Sequence, residues 1–173
     1  MIKNTVMATE IVFNKDYDSA GIFVMKVLDA DIPTVWAHFS QAQLLDLWWA
    51  PKPWKCETLH LDFREGGSWT YAMIGPENDR QFAGATYHEI NLNRSFDWTD
   101  YFTDENGNKD TRMPTVKWLF GFTGVEEGTK LTINIHFNSE EEMKQLVEMG
   151  FEQGFKQGLN QLEELLRQKD SRL

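Results

Sequence analysis

His60, Asp62 and Arg64 recur at every second residue. On a strand that period places all three side chains on one face, and an imidazole, a carboxylate and a guanidinium side by side would suit general acid–base work. The residues between them point the other way. Leu59, Leu61 and Phe63 take the opposite face, and an apolar face is the one a core claims, so the polar cluster is expected at solvent or a sheet edge. His88 and Glu89 are sequence neighbours, so a strand sends them to opposite faces. No Gly-x-Ser-x-Gly, His-Glu-x-x-His or Gly-x-Gly-x-x-Gly stretch occurs, and Gly66-Gly67 reads as a turn. The single cysteine, Cys56, excludes an internal disulfide and a Cys-rich zinc site, and four histidines are few for a metal cluster. No catalytic residue, metal or cofactor is expected.

The aromatic side chains are the stronger candidates. Seven Trp, twelve Phe and four Tyr make up 13% of the chain, more ring surface than a core of this size needs. Trp69, Tyr71, Trp98, Trp118, Phe120, Phe122, Phe151 and Phe155 are placed by their spacing on the apolar faces of strands and of a terminal helix. Pockets for small molecules are mostly apolar with a few polar handles. The Tyr71 hydroxyl and the indole N–H groups would be such handles. The same rings can equally be core filler. Trp48, Trp49 and Trp54 stand beside Pro51 and Pro53, where they wall a cavity mouth or form a patch for a partner.

Charge narrows the classes. Seventeen Lys and Arg against 27 Asp and Glu leave a net charge of −10, without the basic stripe of a nucleic-acid binder or the polybasic patch of a membrane-surface protein. No apolar run approaches the ~18 residues of a membrane span. The N-terminus carries Lys3, Asn4 and Glu10 and makes a poor signal peptide. A cytoplasmic location with a reduced thiol is expected.

The elements that must position these residues follow from periodicity. Residues 1–20 read as a loose arm or a short edge strand, and 21–170 as one domain. A strand over Gly21–Leu28 leads to Asp31 as an N-cap with Pro33 in the first turn. A second short helix is expected from a capping box of Ser40 with Gln43 and ends at Pro51 and Pro53. Strands follow over Lys55–Phe63, Ser68–Ile74, Gln81–Ile90, Ser95–Phe102, Thr115–Phe122 and Thr129–Phe137, with a polar loop over Thr103–Pro114. Leu131, Ile133, Ile135 and Phe137 alternate with Lys130, Thr132, Asn134 and His136, as in an antiparallel sheet with one covered face. Ser139 with Glu142 is a capping box opening one long helix. Three glutamates stand at its start and Arg167 and Lys169 at its end. Gly150, Gly154 and Gly158 share one side of that helix. Each costs about 1 kcal/mol against Ala, so close packing, a cavity or a bend is expected there. The sum is an α+β fold: about seven antiparallel strands, two short helices, and a long C-terminal helix gripped by a curved sheet.

Several stretches together resemble a known superfamily. They are Val35-Trp36, Leu47-Trp48-Trp49-Ala50-Pro51, Asp62 through Trp69, and Gly84 through Glu89-Ile90 with Arg94 and Trp98. With the terminal helix, they resemble the START-like (SRPBCC, helix-grip) superfamily, and within it the group related to the C-terminal domain of the activator of heat-shock protein 90 ATPase. The resemblance spans about Gly21 to Gln168; the 103–114 loop and the first twenty residues depart from it. It implies an apolar cavity between sheet and terminal helix. The reading that follows is non-catalytic binding of a lipid- or polyketide-like molecule, lined by the eight rings above with Gly154 and Gly158. A cyclase- or lyase-type enzyme in the same cavity is the first alternative. A chaperone-interaction module regulating a heat-shock protein ATPase is the second. A protein partner or a homodimer stays open.

Overall fold

The computed structural model describes residues 10–170. Of the arm read over residues 1–20, residues 1–9 lie outside the described residues, as does the side chain of Lys169. The elements are β1 (Val12–Asp16), β2 (Gly21–Leu28), α1 (Ile32–Ser40), α2 (Ala42–Trp48), β3 (Lys55–Leu61), β4 (Ser68–Ile74), β5 (Arg80–Asn91), β6 (Ser95–Thr103), β7 (Val116–Val125), β8 (Gly128–Phe137), α3 (Glu140–Glu148) and α4 (Phe151–Asp170). One antiparallel sheet runs in the order β1-β2-β8-β7-β6-β5-β4-β3. The chain leaves β2 near one edge and resumes with β3 at the other, so α1 and α2 carry it across.

The sheet has eight strands, one more than the alternation suggests. The extra one is the edge strand β1, which pairs with β2 from Val12↔Met25 to Asp16↔Gly21. It is fastened to α4 by Lys15 Nζ, 2.5 Å from Glu152 Oε1, and by the Phe13 ring, 6.2 Å from that of Phe151. Period-2 alternation carries the core elsewhere: Leu131, Ile133, Ile135 and Phe137 on β8 are buried, as are Val116, Trp118, Phe120 and Phe122 on β7.

Asp31 caps α1 through its carboxylate, which accepts the Thr34 N–H at 2.9 Å. Ser139 caps α3 by accepting the Glu142 N–H at 3.1 Å. The expected capping box at Ser40 does not form. Ser40 stays in α1 and its hydroxyl donates back to the Trp36 carbonyl at 3.0 Å, while Gln41 caps α2 without a side-chain bond. The Ser hydroxyl finds a nearer acceptor in its own helix.

The C-terminal helix is also not continuous. Gly150 has φ +92 and separates α3 from α4. Its N–H donates to the Val147 carbonyl at 3.1 Å, the arrangement by which a left-handed residue closes a helix. An apolar stripe runs on both sides of the break, so periodicity alone reads through it. Gly150 therefore has a different role from Gly154 and Gly158.

β3 departs from strict alternation. Its register with β4 shifts between Thr58 and His60, and the extra residue at this bulge turns Leu59 outward, 49% exposed. Cys56 before the bulge is buried, and Leu61 and Phe63 after it pack against the core.

Candidate functional site

The inward stripe of β6 reads Phe96, Trp98, Asp100, Phe102, so a carboxylate interrupts a row of rings. Its neighbours frame a cavity of ≈ 250 Å³, just below the ~300–1,000 Å³ usual for small-molecule pockets. Met73 on β4, Val116 on β7 and Ile135 and Phe137 on β8 line its sheet side. The helix side is Leu146 on α3 and Phe151, Gly154 and Phe155 on α4, and the segment after α2 adds Trp49 and Pro51.

Of the ten side chains and glycines singled out by sequence, Tyr71, Trp118, Phe151, Gly154 and Phe155 line this cavity. The rings converge: Trp118 lies 5.2 Å from Phe155 and 5.7 Å from Phe151. The other five do not line it. Trp69 stacks on Tyr71 at 4.0 Å and 24°. Trp98, Phe120 and Phe122 are buried among other rings; Phe120 stacks on Phe96 at 4.4 Å. Gly158 faces the carbonyl oxygens of Trp48 and Trp49, 3.5 Å from where a Cβ would stand.

Of the lining residues outside those ten, two bear most on the chemistry of the cavity. Spacing puts Trp49 at a mouth or in a patch; it is buried, with its ring 6.2 Å from Trp118 and 6.0 Å from Phe155. The backbone on either side of it is clamped to α4. Gln161 Nε2 donates to the Trp48 carbonyl at 3.0 Å and to the Ala50 carbonyl at 2.9 Å, and Gln161 Oε1 accepts the Lys52 N–H at 2.9 Å. Asp100 is the other. Its signal is the even spacing from Trp98 and Phe102 in a strand that alternation identifies.

The cavity electrostatics follow from burial. Asp100 is half-buried on β6 and lines the cavity. Burial raises its carboxyl to about 8, against weaker opposition from the Trp118 indole and the Val116 N–H. The Trp118 N–H lies close to Asp100 but outside hydrogen-bond geometry. Burial likewise pushes the Tyr71 phenol up, and the Asp100 charge adds to it. Among the described residues, no Lys, Arg or His lines the cavity.

His60, Asp62 and Arg64 lie elsewhere. His60 is exposed, and Arg64 Nε pairs with Asp62 Oδ2 at 2.6 Å with side chains 69% and 36% exposed. His88 bonds Thr99 Oγ1 at 2.7 Å on the exposed side. Among the described residues no helix is long and apolar enough to cross a membrane.

A family model described as Activator of Hsp90 ATPase homolog 1-like protein matches residues 29–167. A solution structure of a protein from Arthrobacter aurescens is 27% identical, covers 91% of this chain and 91% of its own, and superposes with a TM-score of 0.86. A crystal structure of a Mycobacterium smegmatis protein is 25% identical over 91% of this chain and 97% of its own, with a TM-score of 0.84. A solution structure from Staphylococcus epidermidis is 28% identical over 91% and 94%, with a TM-score of 0.80. Comparison with curated proteins gives no match. With the motifs, the eight-stranded sheet and the helix laid over it in agreement, the chain belongs to the Activator of Hsp90 ATPase homolog 1-like family of the START-like, or SRPBCC, superfamily.

Proposed function

We propose that this protein binds a hydrophobic small molecule, without transforming it, in the cavity between its sheet and α4, and that it does so in the cytoplasm. The observation that carries this reading is the ≈ 250 Å³ cavity lined by the rings of Trp49, Tyr71, Trp118, Phe151 and Phe155. Aromatic walls with one or two polar groups are the usual make-up of a small-molecule pocket. Gly154 supports the same reading: a side chain there would project beside Pro51 and into space the ligand would use.

The test is native mass spectrometry of the purified protein, with a fluorescence screen of lipids and aromatic polyketides. Binding by the wild type and its loss in Gly154→Leu, with thermal stability no lower than that of the wild type, is the expected result. No adduct and no hit in the screen rejects the reading.

A cyclase- or lyase-type enzyme needs polar groups inside the cavity. Among the described carboxylates Asp100 alone meets that need, while His60, Asp62 and Arg64 lie outside, which favours binding over catalysis. A chaperone-interaction module draws support from the family description. A pull-down without the heat-shock ATPase would remove it.

A further inference from the structure

The sheet places three charged side chains in its inward rows, and α4 supplies a counter-charge to two of them. Lys15, on the edge strand β1, pairs with Glu152. Lys26 sits between Val24 and Leu28 on β2, fully buried. Opposite it α4 supplies Glu163, whose Oε2 lies 2.9 Å from the Lys26 ammonium. Asp100 sits between Trp98 and Phe102 on β6, and no described residue of the cavity supplies such a counter-charge. To the cavity that Asp100 lines, α4 offers Gly154 and Phe155, β8 offers Ile135 and Phe137, and β4 offers Tyr71 and Met73. A carboxyl with no opposite charge beside it is costly to ionise away from water and keeps its proton, and groups perturbed in this way gather at functional sites.

The empty space borders Asp100. It is walled by the π faces and edges of Trp49, Trp118 and Phe155, which attract organic cations as well as apolar bodies. The chain as a whole carries a net charge of −10, which draws cations toward it.

We propose that the cavity takes a hydrophobic organic amine, its ammonium group paired with the Asp100 carboxylate and its apolar body held among Trp49, Trp118 and Phe155. This rests on the small-molecule reading above and names the class of ligand. Asp100 holds its proton in the empty cavity; an ammonium beside it favours the charged carboxylate, so binding releases that proton to water. A neutral ligand with a carbonyl oxygen, accepting from a proton-bearing Asp100, is the competing chemistry, and the experiment separates the two.

Four probes share one ring system and differ in one group: 1-naphthylmethylamine, 1-naphthalenemethanol, 1-acetylnaphthalene and 1-naphthoic acid. Their affinities for wild type and for Asp100→Asn are measured by isothermal titration calorimetry at neutral pH. The expected result is on the order of tenfold tighter binding of the amine than of the alcohol, since hydrogen bonds to charged groups exceed neutral ones by that margin. The same preference should vanish in Asp100→Asn, with alcohol binding retained. Retained alcohol binding also shows that the variant is folded, and Asp100→Ser serves as a second variant with the same expectation. Equal or tighter binding of the ketone, alcohol or acid by wild type overturns the amine proposal and leaves the small-molecule reading standing. So does an amine preference that survives Asp100→Asn. Failure of all four probes, together with an empty lipid and polyketide screen, overturns both.

Discussion

The Lys26 ammonium lies 2.9 Å from the Glu163 carboxylate, and this ion pair joins β2 to α4 with the two side chains 0% and 8% exposed. Arg167 approaches the other Glu163 oxygen at 3.6 Å. Removing one member of such a pair leaves a charge buried, which costs ~3–5 kcal/mol. Glu163→Leu is therefore expected to lower stability by that order. Adding Lys26→Met should restore most of it, because an apolar pair of similar volume carries no desolvation penalty. Chemical denaturation of the single and double variants measures both. A double variant no better than the single one would show that the pair holds the helix by geometry beyond its charge.

Asp100 ties stability to pH. Its ordinary value of 3.8 becomes about 8 in the fold. Between those values the folded protein keeps a proton that the unfolded chain has released. The stability contribution is fully present below the lower value, declines as pH rises, and levels off above the upper one. Asp100→Asn has no proton to lose. Its stability relative to wild type should therefore grow by a few kcal/mol between pH ~5 and pH ~8, since each pH step across that window is worth about 1.36 kcal/mol. Urea titrations at the two pH values give the comparison, and a pH-independent difference contradicts the assignment.

Gly154 and Gly158 differ in what a methyl group would do. At Gly158 a Cβ would stand 3.5 Å from two carbonyl oxygens, and at Gly154 it would stand 3.7 Å from Pro51 Cγ. Both are ordinary contacts, so Gly158→Ala and Gly154→Ala should each raise stability by about 0.5–1 kcal/mol through helix propensity. Only Gly154 lines the cavity. Ligand affinity is expected to change in Gly154→Ala and to stay constant in Gly158→Ala. Thermal melts with binding titrations separate the two effects.

Cys56 should be inert in the native protein. It is buried, and burial, followed by the nearby Asp46 charge, pushes its thiol well up. The thiolate is the reactive form. A thiol reagent at neutral pH is expected to label it at the rate of unfolding, and Asp46→Asn alone should not make it fast. Rapid labelling of the native wild type contradicts the burial.

Much of the sheet is legible in the sequence because one covered face imposes period two. Leu131 through Phe137 and Trp118 through Phe122 carry that pattern without interruption. The caps at Asp31 and Ser139 are legible for a local reason: each needs only an oxygen within three residues of the N–H it accepts. The rest depends on relations that spacing does not encode. The bulge at Leu59 inserts one residue without changing composition. Gly150 ends a helix in the middle of an apolar stripe that suits a helix on either side. β1 is recognisable only as an alternative, since Val12–Asp16 draws its place from pairing with β2 and from Glu152. In the site, Tyr71, Trp118, Phe151, Gly154 and Phe155 follow from the faces of their elements. Which of the ten candidates line the space depends on the helix that covers them: Phe122 packs against Trp36 and Phe39 of α1, and Trp118 against Phe151 and Phe155 of α4. Trp49 reaches the cavity because Gln161 holds its neighbours Trp48 and Ala50, a contact spanning more than a hundred residues.

The position of Trp49 has an optical consequence. Its ring centroid lies 5.3 Å from Trp48, 5.4 Å from Trp69, 5.6 Å from Trp98 and 6.2 Å from Trp118. Indoles this close exchange excitation faster than they emit. Light absorbed by any of the linked rings therefore samples the ones that border the cavity, and the emission colour and near-ultraviolet dichroism of the whole protein report what stands beside Trp49.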